Sequence, residues 1–266
     1  MPSFGLDLAG YSTKGSSLAM ADSKDQGVVV SILDGHCFAE SHDGNEAVKA
    51  IVDQEVECLC ALMKRGAVYV DVPIDLQDLP GPANTRFVWE QTKRPIDRAF
   101  SGMSPLADRI GSYVARMQAI LRRLESDPLG DKLFEAYPAA TLKLSKLASE
   151  KYKGECQCIA GRWVGAAAEK EKKQTKNNTI AVNLNQLNWT ADEGFRLTHD
   201  EFDAAVCALT GVVKPDAVLT GDSLEKAIAK KLGDTVRSMP PKGYALLSRL
   251  PKGVRVRRQK FSEVFS

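Results

Sequence analysis

The sequence predicts an α/β fold in which helices flank a mixed sheet and the elements begin in the order β-β-β-α-β. Two observations predict that order. Three short apolar segments separated by turn residues occupy residues 3–9, 17–21 and 28–33. They are followed by helical spacing of apolar residues over 45–65 and by a near-continuous apolar run over 67–74. Apolar residues recur at every second position in a half-buried strand and about every three to four positions in a helix.

The first three segments predict an antiparallel meander. The opening segment has two different faces, because Phe4, Leu6 and Leu8 alternate with Gly5, Asp7 and Ala9. The turn GYSTKGSS separates it from the second segment, and Gly27 and Asp34-Gly35 bound the third. Strands this close in sequence, joined by turns, favour antiparallel neighbours.

The next elements predict a helix and a buried strand. The helix over 45–65 ends at Gly66, a residue that commonly terminates helices. The strand AVYVDVPI lacks polar alternation, as expected of a strand covered on both faces. The connection that follows, about 75–103, is long and rich in proline and arginine, and a connection of this length in a compact domain is usually functional.

The second half predicts further helices and strands. A strand is predicted at 133–137, and the alternation VRVRR at 254–258 predicts an edge strand with one basic face. Helices are predicted at 104–126, 139–150, 161–173, 199–213 and 223–232. We expect one domain over 1–266, with a loop insert at about 75–103 and a basic C-terminal extension at about 214–266.

Composition and charge exclude several classes of protein. The chain has 266 residues, of which 44% are hydrophobic and 26% charged, which excludes a disordered, collagen-like or disulfide-dense protein. The 36 Lys and Arg against 34 Asp and Glu leave a net charge of +2. Any contact with nucleic acid must therefore come from local basic patches.

The chain carries no pattern typical of export, of a membrane span or of a zinc site. Its start, MPSFGLDLAG, lacks a basic region followed by an apolar run, and no apolar stretch approaches the roughly 18 residues of a membrane helix. The six cysteines include two C-x-C pairs without zinc-site spacing, and they need no special explanation in a reducing cytosol. We expect a cytoplasmic protein with no membrane contact.

Five acidic residues lie where catalytic acids often lie. Asp7, Asp71 and Glu135 fall in or at the ends of apolar strands, and Asp200 and Asp203 open an apolar helix. A buried carboxylate costs several kcal/mol unless it is compensated, and oxygen ligands from several elements are the donors that Mg²⁺ prefers. Asp200 and Asp203, three residues apart, share one helix face. Two ions about 4 Å apart would activate water and stabilise the leaving oxygen of a phosphodiester.

Four of the five acids also have a plain structural interpretation, whereas Asp203, one turn further into its helix, is harder to explain in this way. Asp7 could cap the following turn or pair with Lys14, and Asp71 could be an ordinary strand-end acid, with Asp75 a rival for its role. Glu135 could form a salt bridge with an arginine of the middle loop. Asp200 suits a helix N-terminus because of the helix dipole.

In order and spacing, the motifs resemble the RNase H-like fold and, within it, the Holliday-junction resolvase branch. More closely, the chain resembles domain-of-unknown-function family 429, whose members are described as predicted nucleases. The segments that carry the resemblance are GLDLA at 5–9, VDVPI at 70–74, KRPIDRAFSGMSPLADRIGS, EAYPA at 135–139 and HDEFDA at 199–204.

The resemblance implies metal-dependent hydrolysis of phosphodiester bonds in DNA or RNA, with two Mg²⁺ or Mn²⁺ ions. Asp7, Asp71 and Asp203 would be the metal ligands, and Asp200 and Glu135 would be auxiliary catalytic residues. The sequence does not determine the oligomeric state, and a homodimer is one of the alternatives.

Substrate contacts are expected from basic residues near aromatic ones. Arginine guanidinium groups bind phosphate bidentately, and aromatic rings of the middle loop would either stack on bases or form a small core. The candidate residues for substrate binding are Lys14, Arg86, Arg94 and Arg98. The basic stretch 242–260 would either protect a sheet edge or follow phosphates.

Two other functions are considered. GLDLAGYSTKGSS resembles the first phosphate loop of actin-like kinases and ATPases, with Asp7 on a metal and Lys14 near phosphate, but neither the second phosphate loop nor the adenosine loop of that class is visible. The second is a non-catalytic nucleic-acid-binding or regulatory protein that has lost a working metal site. All five acids are present, which argues against the loss of such a site.

Overall fold

The architecture is described from a computed structural model of the 266-residue chain. The described residues are 1–10, 15–24, 27–38, 48–76, 92–100, 102, 105, 110–124, 131–147, 154–165, 179–232 and 243–265. Within them the chain forms a mixed α/β fold.

Eleven strands are found in the described residues, and they form three sheets. They are β1 (Ser3–Asp7), β2 (Ser17–Lys24), β3 (Gly27–Asp34), β4 (Val68–Val70), β5 (Leu133–Glu135), β6 (Glu155–Ile159), β7 (Arg162–Gly165), β8 (Arg196–Thr198), β9 (Val218–Leu219), β10 (Leu246–Leu247) and β11 (Arg255–Lys260). The main sheet has six strands in the order β11-β3-β2-β1-β4-β5, and the smaller sheets are β7-β6-β8 and β10-β9.

The same ranges contain eight α-helices. They are α1 (Val48–Arg65), α2 (Pro95–Ala99), α3 (Gly111–Leu124), α4 (Pro138–Leu144), α5 (Thr179–Gln186), α6 (His199–Leu209), α7 (Gly221–Leu232) and α8 (Phe261–Phe265). None of these described helices combines the length and the apolar character needed to span a membrane.

Strand direction in the main sheet is nearly uniform. β2 pairs antiparallel with both β1 and β3, whereas β4 is parallel to β1, β5 to β4 and β11 to β3. The chain order β1, β2, β3, α1, β4 confirms the predicted β-β-β-α-β order. Because β1, β4 and β5 run in the same direction, their carboxyl ends meet at one edge of the sheet, which is where ligands collect in open α/β sheets.

Each face of the main sheet has its own core. On one face α1 and α3 pack on residues that include Leu6, Leu18 and Val70. On the other face, α6 joins the small β6–β8 sheet in covering residues such as Ala21 and Ile32. The sheet is thus buried on both sides, which explains the near-continuous apolar runs in its strands.

The helix predicted at 161–173 is wrong over its described part. Residues 155–165 form the β6–β7 hairpin, and the turn between these strands holds Ala160 and Gly161 at positive φ. The Trp163 indole is buried and donates to the carbonyl of Trp189 at 2.8 Å. Tertiary packing of this tryptophan therefore overrides the helical spacing, and residues 166–173 lie outside the described residues.

Two cysteines form a disulfide that their spacing did not indicate. Cys37, in the turn after β3, is bonded to Cys58 of α1, with 21 residues of sequence separation. The cysteines outside this disulfide are Cys60, Cys156, Cys158 and Cys207. The bond ties the end of the opening meander to the first helix.

The basic strand predicted near the C-terminus is confirmed at a sheet edge, as β11 beside β3. Two of its arginines are paired within the fold. Arg255 contacts Asp192 at 3.1 Å, and Arg258 contacts Asp34 at 2.7 Å and Glu201 at 2.9 Å. The C-terminal extension therefore supplies a strand of the main sheet.

Candidate active site

Asp7 and Asp71 lie side by side at one edge of the main sheet. Asp7 is the last residue of β1, and Asp71 directly follows β4. The pairing of Leu6 with Val70 continues beyond the strand, since the Asp71 amide donates to the Leu6 carbonyl at 2.9 Å. Paired residues in parallel strands share a face, so this register puts both carboxylates on the same face.

Helix α6 covers that face and approaches β1 closely at Gly5. A Cβ built on Gly5 would lie 2.0 Å from the Ala204 carbonyl oxygen and 2.2 Å from the Ala208 nitrogen. The Ser3 hydroxyl donates to the Ala208 carbonyl. Ser3 therefore lies at the C-terminal half of α6, and the helix runs antiparallel to β1, which brings its N-terminal half, with the buried Asp203, towards Asp7.

The N-terminus of α6 is fixed by a capping box. The Glu201 amide donates to the Thr198 hydroxyl at 3.2 Å, and the Glu201 carboxylate accepts from the Thr198 amide at 2.8 Å. These bonds satisfy amide groups that a helix start leaves without partners. They hold the positive end of the helix dipole at the edge of the sheet where Asp7 and Asp71 lie.

The buried thiol of Cys207 lies in the electric field of three carboxylates. Burial raises the pKa of the Cys207 thiol well above its ordinary value, and Asp71, Asp203 and Asp7 raise it further through their negative charge. The charges of Asp71, Asp203 and Asp7 all act on this thiol, so the three carboxylates lie within electrostatic reach of Cys207. The three acids that the sequence predicts as metal ligands therefore lie in one region of the fold, and their role as ligands stays a prediction.

The donor set suits a hard divalent cation. Carboxylate oxygens from three separate elements are what Mg²⁺ and Mn²⁺ prefer. Among the described residues, no three acidic, histidine or cysteine side chains lie close enough together to form a metal-binding group.

Asp200 lies one turn before Asp203 on α6. Its carboxylate contacts the Nε2 atom of His199 at 2.9 Å, and its side chain is 30% exposed. It therefore borders the acid cluster on the solvent side. Its place in the first turn also suits the helix dipole, so both of the roles predicted for it remain predictions.

Glu135 faces the opposite side of the sheet. It pairs with Val70, whereas its neighbour Phe134 pairs with Tyr69, and the Phe134 and Tyr69 rings stack at 5.2 Å. Tyr69 pairs with Gly5, which faces α6. Alternation along a strand therefore directs Glu135 away from Asp7 and Asp71.

The partner of Glu135 is Arg94. The two groups form parallel hydrogen bonds, Nη1 to Oε2 at 2.9 Å and Nη2 to Oε1 at 2.8 Å, and both side chains are buried. Burial raises the pKa of Glu135, and the guanidinium of Arg94 opposes that rise. The structure thus contains the salt bridge that the sequence offered as the alternative to a catalytic role for Glu135.

The guanidinium of Arg94 makes further hydrogen bonds, from all three of its nitrogen atoms. Nε and Nη2 donate to the Asp97 carboxylate at 3.0 and 2.9 Å, and Nη1 donates to the Asp75 carbonyl at 3.1 Å and to the Tyr244 hydroxyl. In this arrangement the guanidinium ties the segment after β4 to α2 and to the C-terminal region. Arg94 therefore holds loops together here instead of presenting its donors to a substrate.

Of the other three residues predicted to bind substrate, the described residues include only Arg98. Arg98 is half-buried on α2. Lys14 and Arg86 lie outside the described residues. Their predicted contacts with phosphate stay predictions.

A second buried ion pair was missed from the sequence. Arg116 of α3 bonds Glu55 of α1, and each side chain is 1% exposed. The available signal was Arg116 itself, a charged residue among Val114, Met117 and Ile120 on the apolar face of the predicted helix. A charge at such a position needs a buried partner.

No protein-family model, curated protein or solved structure matches this chain. Its function must therefore be inferred from the chemistry and placement of the site residues.

Proposed function

We propose that the chain is a metal-dependent nuclease with an RNase H-like fold. The observation that carries the proposal is the placement of Asp7 and Asp71 at the ends of neighbouring parallel strands, with the buried Asp203 on α6, the helix that covers the same side of the sheet. The strand order β3-β2-β1-β4-β5 with β2 alone reversed among these five supports the fold assignment. The proposed substrate is DNA or RNA, and the proposed compartment is the cytoplasm.

In this proposal Asp7, Asp71 and Asp203 hold Mg²⁺ or Mn²⁺. Bound divalent ions supply Lewis acidity towards the phosphate and lower the pKa of water. The chain's own residues supply the rest: three carboxylates provide the negative charge that retains the cations, and the positive end of α6 offsets part of their mutual repulsion. Asp200, whose side chain is 30% exposed, would accept a proton from an incoming water.

The test is cleavage of single-stranded, duplex and branched DNA and RNA by the purified chain with Mg²⁺, Mn²⁺ or EDTA. We expect cleavage that requires metal. Asp7→Asn and Asp71→Asn should each lower the rate by more than about 100-fold, the scale of losing one group that stabilises the transition state electrostatically. The matched control is Asp75→Asn. The Asp75 carbonyl oxygen bonds Arg94, so this variant leaves that bond in place and should retain activity.

Three results would contradict the proposal. The first is cleavage that persists in EDTA and in Asp7→Asn. The second is full activity in Asp71→Asn with loss in Asp75→Asn, which would move the predicted ligand to Asp75. The third is ATP hydrolysis without cleavage of any nucleic acid, which would favour the phosphotransferase considered from the sequence.

A further inference from the structure

Helix α3 contacts the backbone directly after both aspartates. Nη1 of Arg116 donates to the Ala9 carbonyl at 2.7 Å, two residues beyond Asp7. Nε2 of Gln118 donates to the Ile74 carbonyl at 2.7 Å, three residues beyond Asp71. One helix on the α1 side of the sheet thus holds the two chain segments that leave the carboxylate edge.

The segment after Asp7 is held from several sides. The Ala9 amide donates to the Ser16 hydroxyl at 3.0 Å, and the Ser16 amide donates to the Phe38 carbonyl at 3.2 Å. A Cβ built on Gly10 would lie 2.7 Å from the Ser112 hydroxyl oxygen, so α3 also packs tightly on Gly10. Both backbone groups of Ala9 are therefore fixed by side chains outside β1.

Arg116 is itself held rigidly. Its Nε donates to Oε1 of Glu55 at 2.9 Å, its Nη2 makes a second bond to the same oxygen, and both side chains are 1% exposed. Bonds to ionised groups in such a dry position are stronger and shorter than neutral ones. The position of the Ala9 carbonyl is thus tied to α1 as well as to α3.

The segment after Asp71 is held in a comparable way. The Ile74 amide donates to Glu135 Oε2 at 2.8 Å while its carbonyl accepts from Gln118. Ala9 and Ile74, one after each aspartate, are therefore both bonded through amide and carbonyl. Both carbonyls accept from side chains of the same helix, since Arg116 and Gln118 lie two residues apart on α3.

We propose that Arg116 and Gln118 are positioning residues that set the separation between the Asp7 and Asp71 carboxylates. The inference rests on the proposed function, because a metal site is what requires that separation to be exact. Each side chain bonds a backbone carbonyl a few residues beyond one of the two aspartates. They act through backbone segments, as the outer residues around a metal site commonly do.

The experiment is a Mn²⁺ titration followed by electron paramagnetic resonance of the free ion, with cleavage measured on the same samples. We expect Gln118→Ala and Arg116→Lys to bind Mn²⁺ about 10-fold more weakly than the unmodified chain, the lower end of the usual effect of outer-sphere changes. In cleavage, kcat should fall while KM for nucleic acid stays unchanged. Asp7→Asn marks the complete loss of binding.

The matched control is Arg123→Gln. Arg123 also joins α3 to α1, through an ion pair with Asp53 at 3.6 Å, but both side chains are about half exposed. It should bind Mn²⁺ as the unmodified chain does. Gln118→Ala removes no buried charge, so it keeps the test decisive if Arg116→Lys does not fold.

A second measurement does not depend on metal. Amide hydrogen exchange at Leu8 and Ala9 should accelerate in Arg116→Lys and stay unchanged in Arg123→Gln, because the bond from Arg116 ends on Ala9. Unchanged exchange, or Mn²⁺ binding equal to that of the unmodified chain in both variants, overturns the inference. If the unmodified chain binds no Mn²⁺, the proposed function fails and the inference fails with it.

Discussion

The guanidinium of Arg94 meets the carboxylate of Glu135 in two parallel hydrogen bonds of 2.9 and 2.8 Å at the end of β5. Both side chains are buried, and Asp97 shares the same guanidinium. A buried pair of this kind contributes little net free energy when intact, but breaking it leaves an uncompensated charge. It is therefore the point at which the connection after β4, α2 and the C-terminal region are held to the sheet.

We predict that Glu135→Ala lowers the free energy of unfolding by about 3–5 kcal/mol, because it removes one partner of this buried pair. Urea denaturation measures the change. The control is Asp53→Ala, which breaks the half-exposed pair with Arg123 and should cost less than about 1 kcal/mol. A Glu135→Ala variant that is as stable as the unmodified chain but inactive would instead indicate the predicted catalytic role.

Gly5→Ala is predicted to disturb both stability and the acid cluster. The new Cβ would lie 2.0 Å from the Ala204 carbonyl oxygen, so α6 must move away from β1. We expect a loss of about 3 kcal/mol in the free energy of unfolding, at the upper end for overpacking, together with a lower rate of metal-dependent cleavage because Asp203 moves with the helix.

Gly111→Ala is the control for that substitution. No atom lies within 4 Å of a Cβ built at Gly111, and its φ is not positive. Replacing glycine by alanine at the start of α3 should leave the protein equally stable or about 0.5–1 kcal/mol more stable. Equal effects of the two substitutions in urea denaturation would contradict the close contact at Gly5.

The lowered pKa of buried His36 predicts that the protein loses stability in mild acid. Burial lowers its pKa from 6.5 to about 4, with Asp34 opposing and Arg116 adding to the shift. Between these two pH values the unfolded chain binds a proton that the folded chain does not, so the free energy of unfolding decreases as pH falls from 6.5 to 4. The full effect is on the order of 3 kcal/mol.

The comparison that isolates this effect is with His36→Asn, which cannot titrate in that range. Urea denaturation at pH 4, 5, 6 and 7 should give a steeper loss for the unmodified chain than for the variant. Parallel curves for the two proteins would show that His36 has the same pKa in the folded and unfolded chains and would contradict the predicted shift in its pKa.

Reducing the Cys37–Cys58 disulfide is predicted to destabilise the fold. Releasing a loop with 21 residues of sequence separation should cost about 3 kcal/mol, mainly through the entropy of the unfolded chain. Urea midpoints with and without dithiothreitol measure the change. The effect should persist in Cys60→Ser and vanish in Cys58→Ser. A protein that is insensitive to reductant would contain these cysteines as thiols, the state favoured in the cytosol.

Local sequence patterns predicted much of the architecture. Strand alternation around Asp7, helical spacing before Gly66 and the apolar run through Val70 were sufficient for the β-β-β-α-β order, because each reflects which side of one element is buried. The β6–β7 hairpin was missed, because the burial of Trp163 depends on Trp189, a partner 26 residues away.

The sequence by itself determined which residues carry charge into apolar elements: Asp7 and Asp71 at strand ends, Asp203 on a helix, Glu135 on a third strand. The tertiary structure decided which of them meet. Strand register between distant segments puts Asp7 and Asp71 on the α6 face, whereas Glu135 faces away and pairs with Arg94. The physical reason is that a shift of one residue in register turns a side chain to the opposite face, and register is set by strand pairing and core packing across the whole chain.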